Sequence, residues 1–226
     1  MKPLACFLLS VLIAGCAARS VPDSVHWYRD SAEQQAVYIE TYRAAAAAAR
    51  ELSKGLPAGS WGVILDVDET ILDNSGYEKA LALSGKPYKE ATWNEWVAQR
   101  KATALPGAKA FIDTVRDELH AQVILVTNRL QQQCAATEEN LRAQQIQYDR
   151  ILCDSKGDGD KNPRFKAVIE GTPGGVPPLN VLLWVGDNIQ DLPSLQQSTN
   201  DYSRIGSSYF VLPNPMYGSW GSNPYR

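Results

Sequence analysis

The segment VILDVDETILDN at residues 63–74 constrains the fold of this chain more than any other. The apolar run from Trp61 to Leu65 leads directly into Asp66 and Asp68. Such a run is typical of a strand that is buried on both faces of a parallel sheet. Two carboxylates at the carboxyl end of that strand would point into the crevice where open α/β sheets bind ligands. Because an Asp-x-Asp pair alone is common, the interpretation depends on the strands that follow.

Further apolar runs alternate with helical patterns along the rest of the chain. This alternation predicts an α/β fold, a doubly wound parallel sheet. The aromatic-rich segment 73–104 interrupts the alternation, and we expect it to form a small α-helical cap together with residues 31–56. Strands are predicted at 63–67, 122–127, 150–153, 181–185 and 208–212, and helices at 31–52, 106–119, 132–144 and 163–170.

Composition limits the classes of protein to consider. A chain of 226 residues, 44% of them apolar, can bury the core of one complete domain. Its formal net charge of -3 offers no basic face to a nucleic-acid polymer, so we expect no such partner.

The N-terminal residues have the features of an export signal. One Lys precedes an apolar run that is too short to span a bilayer. The run ends in IAGC, which resembles the bacterial lipobox and implies that residues 1–15 are removed and Cys16 is lipidated. Several acyl chains on Cys16 would hold the protein on a membrane through a tether at 16–30. Ala17 after the cysteine implies the outer membrane of a bacterium, facing the periplasm or the surface. The alternative is an ordinary signal peptide that contains a cysteine.

Two further cysteines, Cys134 and Cys153, remain in the predicted mature chain. An oxidising compartment permits them to pair. In the predicted fold both lie near the carboxyl edge of adjacent strands, where a disulfide is plausible. Two buried free thiols are the alternative.

Polar side chains follow the predicted strands at one end of the sheet. Because the carboxyl ends of parallel strands share an edge, we expect these side chains to converge on a single crevice. They are Asp66 and Asp68 after the first strand, Thr127 and Asn128 after the second, Lys161 after the third and Asp187 after the fourth.

This set of side chains suits the hydrolysis of a phosphate ester. Asp66 and Asp187 are hard oxygen ligands of the kind that Mg²⁺ prefers. A free oxygen of Asp66 would attack phosphorus and form an aspartyl-phosphate. Asp68 would protonate the leaving alkoxide and later deprotonate water. Thr127 and Lys161 would hold the oxygens of the phosphoryl group.

In order along the chain, these residues resemble the four motifs of the haloacid dehalogenase (HAD) superfamily. The motifs are DVDET, a strand that ends in Thr127, Lys161 and GDNIQD. More narrowly, LDVDETILDNS, TWNEWV, ALPGA, VTNR, KNPRF, VGDN and LPNPMYGSW resemble segments of the class C acid phosphatases. These are bacterial lipoproteins that act as nonspecific phosphatases and nucleotidases. The resemblance implies a HAD-like phosphatase domain at 31–226, with Mg²⁺ as cofactor and phosphomonoesters, above all nucleoside monophosphates, as substrates.

The resemblance also implies roles for the acidic residues. Asp66 is the nucleophile and a metal ligand, and Asp68 is the acid and base and binds metal through its carbonyl oxygen. Asp187 is the third protein ligand. Asp191 is expected behind the ligands or near Lys161.

The resemblance also implies an aromatic clamp on the nucleobase, for which Trp93 and Tyr217 are the candidates. Packing within the cap is the alternative for each of them. Lys156 lies in the same loop as Lys161, and the match of KNPRF to the family favours Lys161. Family members often continue into a further helix, and this chain ends at Arg226, so the contacts of an expected homodimer stay open.

Two other functions remain open from the sequence. One is a phosphatase specific for a sugar or vitamin phosphate. The other is a non-catalytic surface lipoprotein that binds a phosphorylated ligand, against which the presence of Asp66 argues.

Overall fold

The structure, a computed structural model, describes residues 20–175, 177–199 and 201–225. The predicted signal segment and Cys16 lie outside these residues. Among the described helices, none combines the length and the apolar character that crossing a bilayer requires.

A five-stranded parallel sheet forms the centre of the fold and confirms the predicted fold class. The strands of this sheet and of a separate two-stranded ribbon are, in chain order, β1 (Trp61–Leu65), β2 (Leu72–Asp73), β3 (Thr103–Ala104), β4 (Gln122–Leu130), β5 (Arg150–Asp154), β6 (Asn180–Gly186) and β7 (Tyr209–Val211). The sheet order is β5-β4-β1-β6-β7, and β2 pairs with β3 in a separate antiparallel ribbon. Every residue of β1 is buried, as expected for a central parallel strand.

The register of β1 brings three strand ends to one level. Leu65, the last residue of β1, lies beside Leu125 of β4 and Val185 of β6. The residues that follow these three positions therefore emerge together at one edge of the sheet. This edge carries the polar side chains that the sequence analysis singled out.

Helices cover both faces of the sheet. They are α1 (Asp23–Asp30), α2 (Ala32–Leu52), α3 (Ser75–Ser84), α4 (Glu90–Gln99), α5 (Ala108–Asp113), α6 (Cys134–Ala143) and α7 (Asn162–Glu170). A turn of π-helix, Thr114–Glu118, extends α5. One apolar cluster joins α2 and α5 to the sheet, and a second lies under α7.

The α2 helix belongs to the core layer, so the prediction that residues 31–56 contribute to a cap is wrong. Tyr38, Tyr42 and a row of alanines on α2 are buried in the same apolar cluster as Val63 and Leu65 of β1. Small alanine side chains let the helix approach the sheet closely. The Tyr42 hydroxyl reaches further and donates to the Thr70 carbonyl oxygen at 2.7 Å.

The predicted tether at 16–30 is also wrong over its second half, because residues 23–30 form α1. Val25 and Tyr28 of this helix are buried, and the hydroxyls of Tyr28 and Tyr38 lie 2.8 Å apart. Val25 and Tyr28 are three residues apart, which is the spacing of one helical face. A single such pair in eight residues is a short signal, and the sequence analysis did not use it.

Residues 72–104 form a small unit beside the carboxyl edge of the sheet, in the span where a cap was expected. It consists of β2, α3, α4 and β3. The Trp96 indole donates to Asn74 at 2.9 Å within this unit, and Asn140 of α6 donates to the Ala102 carbonyl oxygen at 2.8 Å. The second bond ties the unit to α6.

Cys134 and Cys153 form a disulfide between the start of α6 and β5. Of the two alternatives that the sequence left open, the structure contains the bonded one. The bond links the segment that follows β4 to the neighbouring strand.

Candidate active site

A cavity of about 430 Å³ opens at the carboxyl edge of the sheet. Its walls include Glu78, Tyr88, Arg129, Asn188 and Gln190, none of which the sequence analysis singled out. The other lining residues were all predicted site residues: Asp66, Asp68, Trp93, Asn128, Lys161, Asp187, Asp191 and Tyr217. The topology thus brings together side chains that lie up to 151 positions apart in the sequence.

Lys161 joins two of the acidic residues. Its ammonium group lies 2.5 Å from Oδ1 of Asp66 and 2.5 Å from Oδ1 of Asp191, and all three side chains are buried. Burial alone would lower the pKa of Lys161, but the carboxylates of Asp191 and Asp66 outweigh it and raise that pKa. Lys161 therefore stays charged inside the site.

The loop between β5 and α7 positions Lys161. The Asp154 carboxylate accepts hydrogen bonds from the backbone N–H groups of Lys156, Gly157 and Gly159, each at 2.9 Å. Burial raises the pKa of Asp154, but these donors outweigh it and lower the pKa. Lys156 is exposed outside the cavity, so Lys161 is the lysine that the fold delivers to the site.

Three carboxylates, those of Asp66, Asp187 and Asp191, converge so that one oxygen of each lies within 4.8 Å of the others. Gly186 permits this approach, because a Cβ at that position would overlap the Asp191 side chain. Asp191 is held in turn by the Asn188 N–H, which donates to its Oδ2 at 2.8 Å.

Burial raises the pKa of Asp66 to about 7, opposed by Lys161 and reinforced by Asp191 and Asp68. Burial, followed by the charges of Asp191 and Asp66, also raises the pKa of Asp187. Fully ionised, the three carboxylates would exceed the one ammonium by two negative charges, and burial opposes that state, as the raised pKa values of Asp66 and Asp187 show. This donor set fits a divalent cation, which oxygen ligands prefer to bind and which would neutralise the excess charge.

Asn214, which the sequence analysis did not assign, holds the Asp187 side chain. Its amide nitrogen donates to Oδ2 of Asp187 at 2.8 Å, while its own Oδ1 accepts from the Met216 N–H at 3.0 Å. One residue thus ties a carboxylate of the acidic cluster to the C-terminal segment. Asn214 belongs to the segment LPNPMY, and nothing in that segment indicates that Asp187 is its partner.

Arg129 is the second unpredicted contact, and it binds Asp68. Its Nη2 and Nε lie 2.7 Å and 2.9 Å from Oδ1 of Asp68. The guanidinium is almost completely buried, and it also donates to Thr137 at 3.1 Å and to Asn74 at 3.1 Å. The sequence held one signal for this contact. Side chains two residues apart in a strand point to the same face, so Arg129 lies on the same face of β4 as Thr127, and both are buried.

Thr127 and Asn128 differ in their access to the cavity. Thr127 is completely buried and does not line the cavity, and its hydroxyl accepts the Arg129 N–H at 3.1 Å. Asn128 is exposed and lines the cavity, with its side-chain oxygen 2.5 Å from Nη2 of Arg164. Arg164 also donates to the Thr127 carbonyl oxygen, so it holds the last part of β4, where the pairing with β5 is irregular.

Comparison with known proteins identifies the family. Residues 11–220 match the model of the HAD superfamily, subfamily IIIB (acid phosphatase). The chain belongs to this family. It is an acid phosphatase, an enzyme whose substrates are small phosphate esters, and HAD phosphatases generally depend on a metal ion.

Solved structures of a class C acid phosphatase are similar to this chain over most of its length. One from Bacillus anthracis is 27% identical, with a TM-score of 0.77 over 88% of this chain and 85% of that one. A second structure of the class C acid phosphatase from Bacillus anthracis has tungstate bound, with 25% identity, a TM-score of 0.75 and the same coverage.

The motif DVDET of this acid phosphatase contains a further buried group, Glu69. Its side chain accepts the Asn74 N–H at 2.7 Å and the hydroxyl of Tyr217. Its carbonyl oxygen accepts from the Tyr38 hydroxyl at 2.8 Å. Burial, more than the charges of Asp68 and Asp187, raises the pKa of Glu69 well above its usual range.

The two predicted aromatic residues of the phosphatase cavity make different contacts. Tyr217 lines the cavity while its hydroxyl binds Glu69, so that hydroxyl is already engaged. Trp93 packs edge-on against Tyr77, with ring centroids 5.3 Å apart, and the Arg129 guanidinium lies 5.6 Å from its ring centroid. Both rings remain part of the cavity wall.

Proposed function

We propose that this acid phosphatase hydrolyses phosphomonoesters through an aspartyl-phosphate on Asp66. The proposal rests on the position of Lys161. Its Nζ lies 2.5 Å from Oδ1 of Asp66 and 2.5 Å from Oδ1 of Asp191, beside the three converging carboxylates. A phosphoryl group brought to this cluster meets a carboxylate nucleophile and an ammonium in one place. Such fixed charges stabilise the transition state of phosphoryl transfer.

The nucleophile is Oδ2 of Asp66. Lys161 holds the other oxygen, Oδ1, and no described residue donates a hydrogen bond to Oδ2. As the bond from Oδ2 to phosphorus forms, the bond from phosphorus to the leaving oxygen breaks, and Asp68 gives that oxygen a proton. Asp68 then takes a proton from water, whose oxygen attacks phosphorus and releases inorganic phosphate and free Asp66.

We propose Mg²⁺ as the metal ion, held by the carboxylates of Asp66 and Asp187 and the carbonyl oxygen of Asp68, with Asp191 behind them beside Lys161. A hard divalent cation, when bound, offsets the repulsion between these carboxylates and a phosphate dianion. The convergence of three buried carboxylates, whose full ionisation burial opposes until a cation is bound, supports this assignment.

Nucleoside monophosphates are the substrates that we propose. Aromatic rings of Tyr88, Trp93 and Tyr217 line the same cavity as the acidic cluster, and flat bases stack on such rings. Tungstate, bound to the relative from Bacillus anthracis, is an oxyanion, as phosphate is. We further propose that Thr127 supports the part of β4 that carries Asn128 rather than contacting the phosphoryl group itself.

We propose that lipid on Cys16 anchors the protein to the bacterial outer membrane. The described domain begins close to that cysteine, since α1 starts at Asp23. Only a short segment would separate the bilayer from the enzyme. A homodimer is a further proposal that rests on family resemblance.

Phosphate release from the mature chain, Ala17 to Arg226 without lipid, tests the function. The substrates are nucleoside monophosphates, p-nitrophenyl phosphate and sugar phosphates, each assayed with Mg²⁺ and with EDTA. We expect release that requires the metal and is fastest with nucleotides. A fastest rate on a sugar phosphate would replace the nucleotide assignment, and no release from a folded, metal-loaded protein would favour the binding lipoprotein.

Asp66→Asn tests the nucleophile. The variant keeps the shape of the side chain but loses the attacking carboxylate, so turnover should fall by at least about 10³-fold while the fold is kept. Asp30→Asn, at an exposed aspartate of α1, is the control. Wild-type turnover in Asp66→Asn would refute the aspartyl-phosphate mechanism.

A further inference from the structure

Glu78 is an acidic residue of the cavity wall that the proposed mechanism does not use. It lies on α3 and is half-buried where it lines the cavity. No residue in the described part of the chain donates a hydrogen bond or an ion pair to its carboxylate. The four aspartates of the cavity differ, because each has a polar partner within 2.8 Å.

The position of Glu78 in the helix does not account for this arrangement. An acidic side chain near the start of a helix interacts favourably with the helix dipole, and an exposed residue would serve that purpose. Glu78 is instead partly removed from water, and burial raises the pKa of its carboxyl group. A desolvated carboxylate without a partner is unfavourable until a ligand supplies one.

Aromatic rings line the same cavity as Glu78. Tyr88 and Trp93 line the same cavity, and Tyr77 packs edge-on against both, at centroid distances of 6.3 Å and 5.3 Å. Aromatic faces and a carboxylate together favour a cationic group, most of all a substituted ammonium. The Arg129 guanidinium beside Trp93 already shows a cation against one of these rings.

We infer that Glu78 selects substrates by the charge of the leaving group. Phosphomonoesters whose leaving group carries an ammonium, such as phosphocholine, are favoured over those that carry a carboxylate or a second phosphate. This selectivity rests on the proposed phosphomonoesterase activity. It is independent of the acidic cluster, since Glu78 takes no part in bond making.

Three substrates of different leaving-group charge test the inference. They are phosphocholine, p-nitrophenyl phosphate and 3-phosphoglycerate, with a cationic, a neutral and an anionic leaving group. The quantity compared is the ratio of kcat/KM for phosphocholine to kcat/KM for 3-phosphoglycerate in the wild type and in Glu78→Gln. We expect this ratio to fall by about five- to tenfold in the variant, because one charge–charge interaction across a partly solvated cavity is lost.

The control is Glu95→Gln, at an exposed glutamate of α4 that does not line the cavity. It should leave the ratio at the wild-type value. An equal fall in both variants would assign the effect to overall charge and overturn the inference. An unchanged ratio in Glu78→Gln would overturn it as well, and a loss shared equally by all three substrates with a lower melting temperature would reveal a structural role.

The two proposals fail differently in this assay. If the wild type releases phosphate from none of the three substrates with Mg²⁺, the proposed function fails and the selectivity fails with it. If the wild type releases phosphate and the ratio does not respond to Glu78→Gln, only the selectivity fails.

Discussion

The Arg129 guanidinium donates two hydrogen bonds to the Asp68 carboxylate, from Nη2 at 2.7 Å and from Nε at 2.9 Å, both to Oδ1. Arg129 is itself fixed by Thr137 and Asn74. The proposed acid and base therefore points in one direction before substrate arrives. The planar guanidinium of an arginine can orient a carboxylate in this way, whereas the ammonium group of a lysine cannot.

Arg129→Lys should lower kcat by about 10²-fold and change KM less, because the lysine keeps the charge but not the orientation of Asp68. Steady-state phosphate release gives both constants, and a urea unfolding curve shows how far the fold is retained. Arg50→Lys is the control, since Arg50 forms an exposed pair with Glu118. A kcat close to the wild-type value in Arg129→Lys would show that Asp68 needs no such orientation.

The sequence predicted the parts of the site that depend on local pattern. β1 is a continuous apolar run, so its burial and the position of Asp66 at its end follow from the residues themselves. The loop that carries Lys161 and the turn at Asp187 follow in the same way from the strands before them. Parallel pairing then brings these ends together without any further information.

What the sequence could not predict are contacts between distant segments. Arg129 binds Asp68 across 61 positions, and Tyr217 binds Glu69 across 148. No period or motif states which polar side chains will meet once the sheet has formed. The tether and cap boundaries failed for a related reason, since α1 buries only two side chains and the role of α2 depends on which surface it meets.

Asn214→Ala should weaken Mg²⁺ binding by about 10- to 100-fold, the usual effect of losing a residue that orients a metal ligand. Asn214 donates to Oδ2 of Asp187 at 2.8 Å, and alanine leaves that carboxylate free to turn. The dependence of phosphate release on Mg²⁺ concentration measures the change, and saturating metal should restore much of kcat.

Asn223→Ala is the matched control for that variant. The Asn223 side chain donates to Gln197 on the exposed surface, away from the cavity. Its Mg²⁺ dependence should equal that of the wild type. An Asn214→Ala enzyme with the same dependence would mean that Asp187 does not need its amide partner.

Reduction of the Cys134–Cys153 disulfide should lower the free energy of unfolding by about 2–4 kcal/mol, as for other loops of comparable length. The bonded cysteines are 19 positions apart. Urea unfolding with and without reductant measures the loss. Cys134→Ala/Cys153→Ala should not respond to reductant, and its turnover should be kept, because neither cysteine lines the cavity.

The stability of the metal-free protein should fall as the pH rises from about 4 to about 7. Burial raises the pKa of Asp66 from 3.8 to about 7 and raises that of Asp187 in the same direction. Between these values the folded protein holds more protons than the unfolded chain, so deprotonation favours unfolding. The raised pKa of Lys161 adds no slope here, since lysine stays protonated in both states.

Urea unfolding in EDTA at about pH 5 and about pH 8 measures this slope. Asp154, whose pKa is lowered, acts in the opposite direction but only below that window. Mg²⁺ should remove the loss of stability, because a cation favours the ionised carboxylates. Asp66→Asn in EDTA should have a smaller slope than the wild type. A metal-free wild type that became more stable toward pH 8 would show that the buried carboxylates are already compensated without a metal ion.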